Sequence, residues 1–313
     1  MAMLFSESDL ARAWPWAEGL RTLLAGIGPR VFSGSHLMVG SDYSGDHESK
    51  DYRVYAFLAV DTDASPAWPA ARKAVRDSFL PDGRRLSFKK LGDKHRLAAL
   101  KPFLQSTDHF TGICIALIIH KRFERLSTAA TTLSLWERLH GVQGRWDADA
   151  FEAMVRVVHL FSLLIARWSR PHMHVSWVTD QDAIVANDAR HTDLLELAGA
   201  MAGVYVEHPL GELAVTTTAV DDSSRAFEDF VAVPDLVAGA MAELVSVWSR
   251  QPDWHRDVDQ SLSPTEISHK TNVITHWFWQ HGSTLARHAI VVDANDQGRP
   301  YVADLDVQRG TAV

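Results

Sequence analysis

The stretch from Leu37 to Val60, LMVGSDYSGDHESKDYRVYAFLAV, constrains the fold most. Two apolar runs flank one short polar connector, SDYSGDHESKD. A hairpin accounts for it, with Ser44 and Gly45 as turn residues. The runs predict strands at about 36–41 and 52–60. The second is rich in Val, Tyr and Phe and alternates little, which predicts cover on both faces.

Downstream, helices alternate with strands. Residues 6–26 read as an amphipathic helix opened by SESD. DASPAWPAARKAVRDSFL and DKHRLAALKPFL read as helices. FTGICIALIIHKRF is a β-branched, apolar strand. Residues 127–144 form a loop or short helix. The clearest helix spans 147–169, with apolar residues at 151, 154, 155, 158, 161, 165 and 168 on one face. MHVSWV and ELAVTTTAV read as strands, HTDLLELAGAMAGVYV as a helix. VPDLVAGAMAELVSVW reads as a helix with Pro234 in its first turn. TNVITHWFWQHG is a helix or strand, and RHAIVVDA and RPYVADLDV form a hairpin around NDQG. Two adjacent strands followed by this alternation predict an α/β fold with some antiparallel pairing. The division expected is a helical extension over 1–30, the α/β domain over 31–250, and an extension over 251–313 packed on that domain.

Hydrophobic residues make up 46% of the 313, enough for a sizeable core. The net charge of −8 argues against a generally polyanion-binding surface, though a local basic patch can still bind one. The single cysteine, Cys114, lies in an apolar run; it excludes a disulfide framework and is too buried to serve as a nucleophile. The start of the chain lacks a signal-peptide pattern. The most apolar helical stretch, 154–168, is interrupted by Arg156, His159 and Arg167 and is too short for a bilayer of roughly 30 Å. The expectation is a cytoplasmic protein without membrane contact.

Three acids occupy strand ends or helix starts. Asp42 follows the first strand, Asp180 follows HVSWV, and Asp235 opens a helix. Converging carboxylates repel one another unless a cation neutralises them. Mg²⁺ or Mn²⁺ takes such oxygen ligands and supports phosphoryl transfer. Each acid also has a plain use: Asp42 in an Asx turn, Asp180 as a loop acid with Asp182 as competitor, Asp235 against the helix dipole. Histidines at 172 and 174 give only a weak zinc pattern. Walker, G-x-G-x-x-G and G-x-S-x-G motifs are absent from the sequence.

DYSGD after a strand resembles the DESGD opening of the domain-of-unknown-function 3800 family. VPDLVAGAM is similar to its late ADLIAGA-type helix start, and WVTDQD lies where that family has a strand-end Asp. The resemblance covers about 37–248. It implies a ribonuclease H-like fold, a metal-dependent nuclease, and a bacterial role in defence or mobile-element biology. It carries metal-binding roles over to Asp42, Asp180 and Asp235. The chain departs from the pattern in having Tyr43 where the family has Glu. It also has Ser87 and Phe88 where an acid is wanted; Asp46, Glu48 and Asp93 are candidate replacements, Asp46 first among them.

The middle segment is also the best basic patch: Arg84, Arg85, Lys89, Lys90, Lys94, Arg96 and Lys101, against Asp93 alone. His120, Lys121, Arg122 and Arg125 add a second cluster. Such patches bind DNA or RNA backbone through counterion release; an ordinary solvated face has the same composition. Two other uses of the chain compete with a nuclease. One is a catalytically inactive nucleic-acid-binding module. The other is a protein-interaction module or homo-oligomer using Trp248, Trp254, Trp277 and Trp279.

Overall fold

The computed structural model describes residues 16–28, 32–123, 141–180, 184–251, 254, 264–280, 283–295 and 297–305. Its centre is one mixed seven-stranded sheet in the order β5-β4-β1-β2-β3-β6-β7. The strands are β1 (His36–Ser44), β2 (Tyr52–Asp61), β3 (Gly112–His120), β4 (His174–Thr179), β5 (Glu212–Thr217), β6 (Leu285–Ala294) and β7 (Pro300–Asp304). β1 and β2 form the expected antiparallel pair, with Asp42 opposite Ala56. β2–β3 and β6–β7 are also antiparallel. β1–β4, β4–β5 and β3–β6 are parallel. Strands from 285–304 extend the same sheet, so this part of the predicted C-terminal extension is integral to it.

Helices cover both faces, as the near-continuous apolar strands require. The helices are α1 (Ala17–Gly26), α2 (Trp68–Phe79), α3 (Lys94–Ser106), α4 (Ala148–Trp168), α5 (Asp188–Tyr205), α6 (Ala226–Trp248) and α7 (His269–Phe278). β2 splits its side chains between two cores by strict alternation. Val54, Ala56, Leu58 and Val60 join α2, α3, α6 and α7, while Tyr55, Phe57 and Ala59 join α1, α4 and α5. Cys114 is fully buried on the first side, and burial pushes its thiol up to about 12.

α6 corrects two expectations. It begins at Ala226, so Pro234 lies inside the helix and not in its first turn. An interior Pro forfeits a helical hydrogen bond; here burial on the sheet outweighs that local cost. α6 is also the longest apolar helix, displacing 154–168. By length and composition it could cross a membrane, with mean hydropathy 1.7, yet 78% of that window is buried inside the molecule. Gly40 on β1 allows α6 to come this close: a Cβ there would lie 2.8 Å from the Phe230 ring.

The tryptophans proposed as interface anchors lie inside. Trp248, Trp254, Trp277 and Trp279 all belong to the core on the α6 side. The 6–26 helix is described only from Ala17, and most of 127–144, with Arg125, Asp182 and His281, falls outside the described residues.

Candidate active site

β1 runs through Asp42 to Ser44, so Asp42 lies within the strand and not after it. Ser41 pairs with Thr179 on β4, and Thr179 with Thr217 on β5. Asp42, Asp180 and Thr218 are therefore the next residues on three neighbouring parallel strands, at the edge where side chains from distant segments meet. By alternation Asp42 lies on the Gly40 face of β1, toward α6. There it meets Asp235, which stands in the middle of α6 rather than at its start.

Asp42 and Asp235 are both partly buried, with their carboxyl groups close enough to share a hydrogen bond. Burial pushes Asp42 well above the usual carboxylate range, and the Asp235 charge and shared bond push it further. Burial also raises Asp235, against opposition from the Asp42 hydrogen bond, the Phe88 N–H and Arg85. Like charges this close oppose each other's ionisation, which favours a proton on the pair. The Phe88 N–H donates to Asp235 Oδ2 at 2.7 Å, and the Tyr43 N–H to Asp42 Oδ1 at 2.8 Å.

Asp180 lies near enough for its charge to raise both neighbours. One of its oxygens accepts from Arg85 Nη2, the other from the Thr218 hydroxyl at 2.7 Å. Among the described residues, no group of three or more His, Cys, Asp or Glu side chains stands close enough to hold a metal ion. The structure joins Asp42 and Asp235 and gives the third carboxylate to an arginine. By donor type, carboxylate oxygens only, the three acids suit a hard divalent cation, which would need Asp180 to turn from Arg85 toward the other two.

A cavity of about 1100 Å³ opens over these groups. Its walls include Asp42, Tyr43, Asp46, Lys50, Arg53, Tyr55, Arg85, Phe88, Lys89, Lys90, Asp180 and Asp235. α4 adds Glu152 and Arg156, a buried pair 3.6 Å apart. Sequence reading missed these two; the clue was a pair of charges, four residues apart, inside an otherwise apolar helix. Thr218 was missed too, and only its alignment beside Asp180 reveals it.

The remaining predicted residues divide. Asp46 lines the cavity but is largely exposed and paired with Arg53 at 3.0 Å. Glu48 is exposed. Asp93 caps α3 and binds Arg84, so it replaces no ligand. Lys89 and Lys90 face the cavity, with no carboxylate among the described residues paired to either. Arg84 is engaged by Asp82 and Asp93. Arg96 donates to the Arg85 carbonyl at 2.7 Å. Lys121 donates to the His47 carbonyl, and Arg122 to Asp293, both at 2.7 Å. Lys94 is exposed and outside the cavity wall. No family model, curated protein or solved structure matches the chain.

Proposed function

We propose that the protein is a Mg²⁺- or Mn²⁺-dependent nuclease of ribonuclease H-like fold that hydrolyses phosphodiester bonds at Asp42, Asp180 and Asp235. The observation that carries this reading is the partly buried Asp42–Asp235 pair in the cavity wall. Two carboxylates in contact under a cavity are costly unless a cation is their intended partner. The mixed sheet, with Asp42 inside β1 beside the Asp180 that follows β4, supports the fold, as does the resemblance of DYSGD and VPDLVAGAM.

Asp42 and Asp235 would hold the cation, joined by Asp180. When bound, it supplies charge stabilisation at the phosphoryl oxygens and lowers the pKa of an attacking water. The chain's own groups do the rest. The Phe88 and Tyr43 amides fix the two carboxylates by hydrogen bonds. A cation would compete with a proton for Asp42 and Asp235, so metal affinity should rise with pH. Lys89 and Lys90 receive the neighbouring phosphates as point charges, without base preference. Purified protein should cleave single- or double-stranded DNA or RNA with Mn²⁺, and Asp42→Asn should abolish the cleavage. Activity that survives both Asp42→Asn and Asp235→Asn would overturn the assignment.

One observation favours a second reading, a catalytically inactive nucleic-acid-binding module: Arg85 occupies Asp180. Salt-dependent binding with no cleavage in either Mg²⁺ or Mn²⁺ would select it.

A further inference from the structure

Arg85 stands where positive charge is most wanted, yet its backbone does not depend on its side chain. The Arg96 guanidinium holds its carbonyl. Three residues on, the Phe88 amide is fixed on Asp235 and Lys270 Nζ donates to the Phe88 carbonyl at 3.0 Å. The Phe88 ring covers Gly239, one turn beyond Asp235, where a Cβ would come within 2.3 Å of the ring. The segment is clamped at both ends, and the Arg85 side chain reaches from it into the cavity wall.

That side chain is only partly satisfied. Nη2 donates to Asp180, but Nε is buried without a hydrogen-bond partner among the described residues. A guanidinium offers a planar fork suited to two oxygens of one phosphate. Asp180 takes one arm of that fork and divides its own oxygens between Arg85 and Thr218. The neighbouring arginines are committed elsewhere, Arg84 to Asp82 and Asp93 and Arg96 to backbone. Arg85 alone among them is set against a carboxylate of the site.

We propose that Arg85 is the resident counter-ion of the third carboxylate: it holds Asp180 until a divalent cation takes that carboxylate, and its freed guanidinium then receives the substrate phosphate. This rests on the cation-site reading above. Thr218 keeps its hydroxyl on Asp180 in both states and limits the carboxylate's movement. The device neutralises the cleft when no cation is present and places a phosphate-binding fork there when one is.

The test is a pair of titrations on the full chain, stripped of metal. Mn²⁺ is titrated calorimetrically into wild type, Arg85→Gln, Arg85→Lys and Asp42→Asn. A short fluorescent single-stranded oligonucleotide is then titrated into the same proteins in saturating Ca²⁺. Arg85→Gln should bind Mn²⁺ about fivefold more tightly, because a competing ion pair is gone, and bind the oligonucleotide about tenfold more weakly. Arg85→Lys keeps the charge without the fork and should fall between wild type and Gln for Mn²⁺ while remaining weak for the oligonucleotide. These opposite shifts separate a switch from a scaffold role, which would weaken both together. If Arg85→Gln leaves either affinity unchanged, or moves either the other way, while Asp42→Asn still abolishes Mn²⁺ binding, the counter-ion proposal falls and the cation site stands. If wild type and both Arg85 variants give no Mn²⁺ binding, the cation site fails and the proposal with it.

Discussion

Helix α6 carries two aspartates, the buried Asp229 and the partly buried Asp235, whose carboxylates are matched in opposite ways. Asp229 is matched by opposite charge: Arg72 at 2.8 Å and Arg76 through two bonds, at 2.6 and 2.5 Å. Asp235, less than two turns further on, is matched by another carboxylate. The first arrangement closes α2 against the start of α6 and leaves no demand for a ligand. The second sets two carboxylates side by side in a cavity wall, with the Phe88 N–H on Asp235. A buried charge matched by opposite charge is accounted for within the fold; on the function proposed above, a carboxylate set against another is a place for a cation.

Replacing each aspartate in turn tests this contrast. Asp235→Asn should lower Mn²⁺-dependent cleavage at least about 100-fold, since loss of even a supporting residue at a metal site costs 10- to 100-fold, while the fold survives. Asp229→Asn should instead cost about 3–5 kcal/mol of stability in urea unfolding, because two arginines lose their buried partner. If Asp235→Asn unfolds the protein and Asp229→Asn does not, the contrast is wrong. Gly239→Ala comes next. Its methyl must displace the Phe88 ring, which should cost about 1–3 kcal/mol and loosen the amide that holds Asp235. Full stability would show that Phe88 is not held there. The smallest effect concerns cations on the rim. Lys89 and Lys90 have no carboxylate partner among the described residues, whereas Arg84 is spent on Asp82 and Asp93. The Lys89→Ala, Lys90→Ala double variant should reduce the slope of log affinity against log salt by about 1.4–1.8. Arg84→Ala should change it less, and equal changes would remove the distinction.

Much of the fold was legible because strand and helix periods are local properties. The β1–β2 hairpin, the long α4 and the β6–β7 hairpin all follow from patterns of a few residues. The start of α6 was misread because Pro234 is a strong local signal that helix burial overrides. The carboxylates were legible as types, but Asp235 was found for the wrong reason, as a helix-start acid. Its real setting depends on α6 crossing over Gly40. The segment at Phe88 contributes a backbone N–H to Asp235, a role that leaves no mark on side-chain identity. Glu152 and Arg156 were hidden because nothing in one helix says which face meets a cavity. The basic patch was legible only as a count, since whether Arg84 or Lys89 is spent on a carboxylate is a tertiary fact.

Proton linkage makes the like-charge pair measurable without any substrate. Asp42 is raised in the folded protein, so the fold holds a proton that the unfolded chain gives up near 3.8. Metal-free stability is therefore fully supported below that value and declines as pH rises through the folded-state value. Asp42→Asn removes this decline. The most direct measurement is thermal unfolding of wild type and Asp42→Asn at neutral pH, each with and without Mn²⁺. Without metal, Asn should raise the midpoint, by about 1 kcal/mol of stability. With Mn²⁺, wild type should gain stability by mass action and Asp42→Asn should not. A variant less stable than wild type without metal, or one that responds to Mn²⁺ as wild type does, would contradict the claim that Asp42 and Asp235 form a cation site.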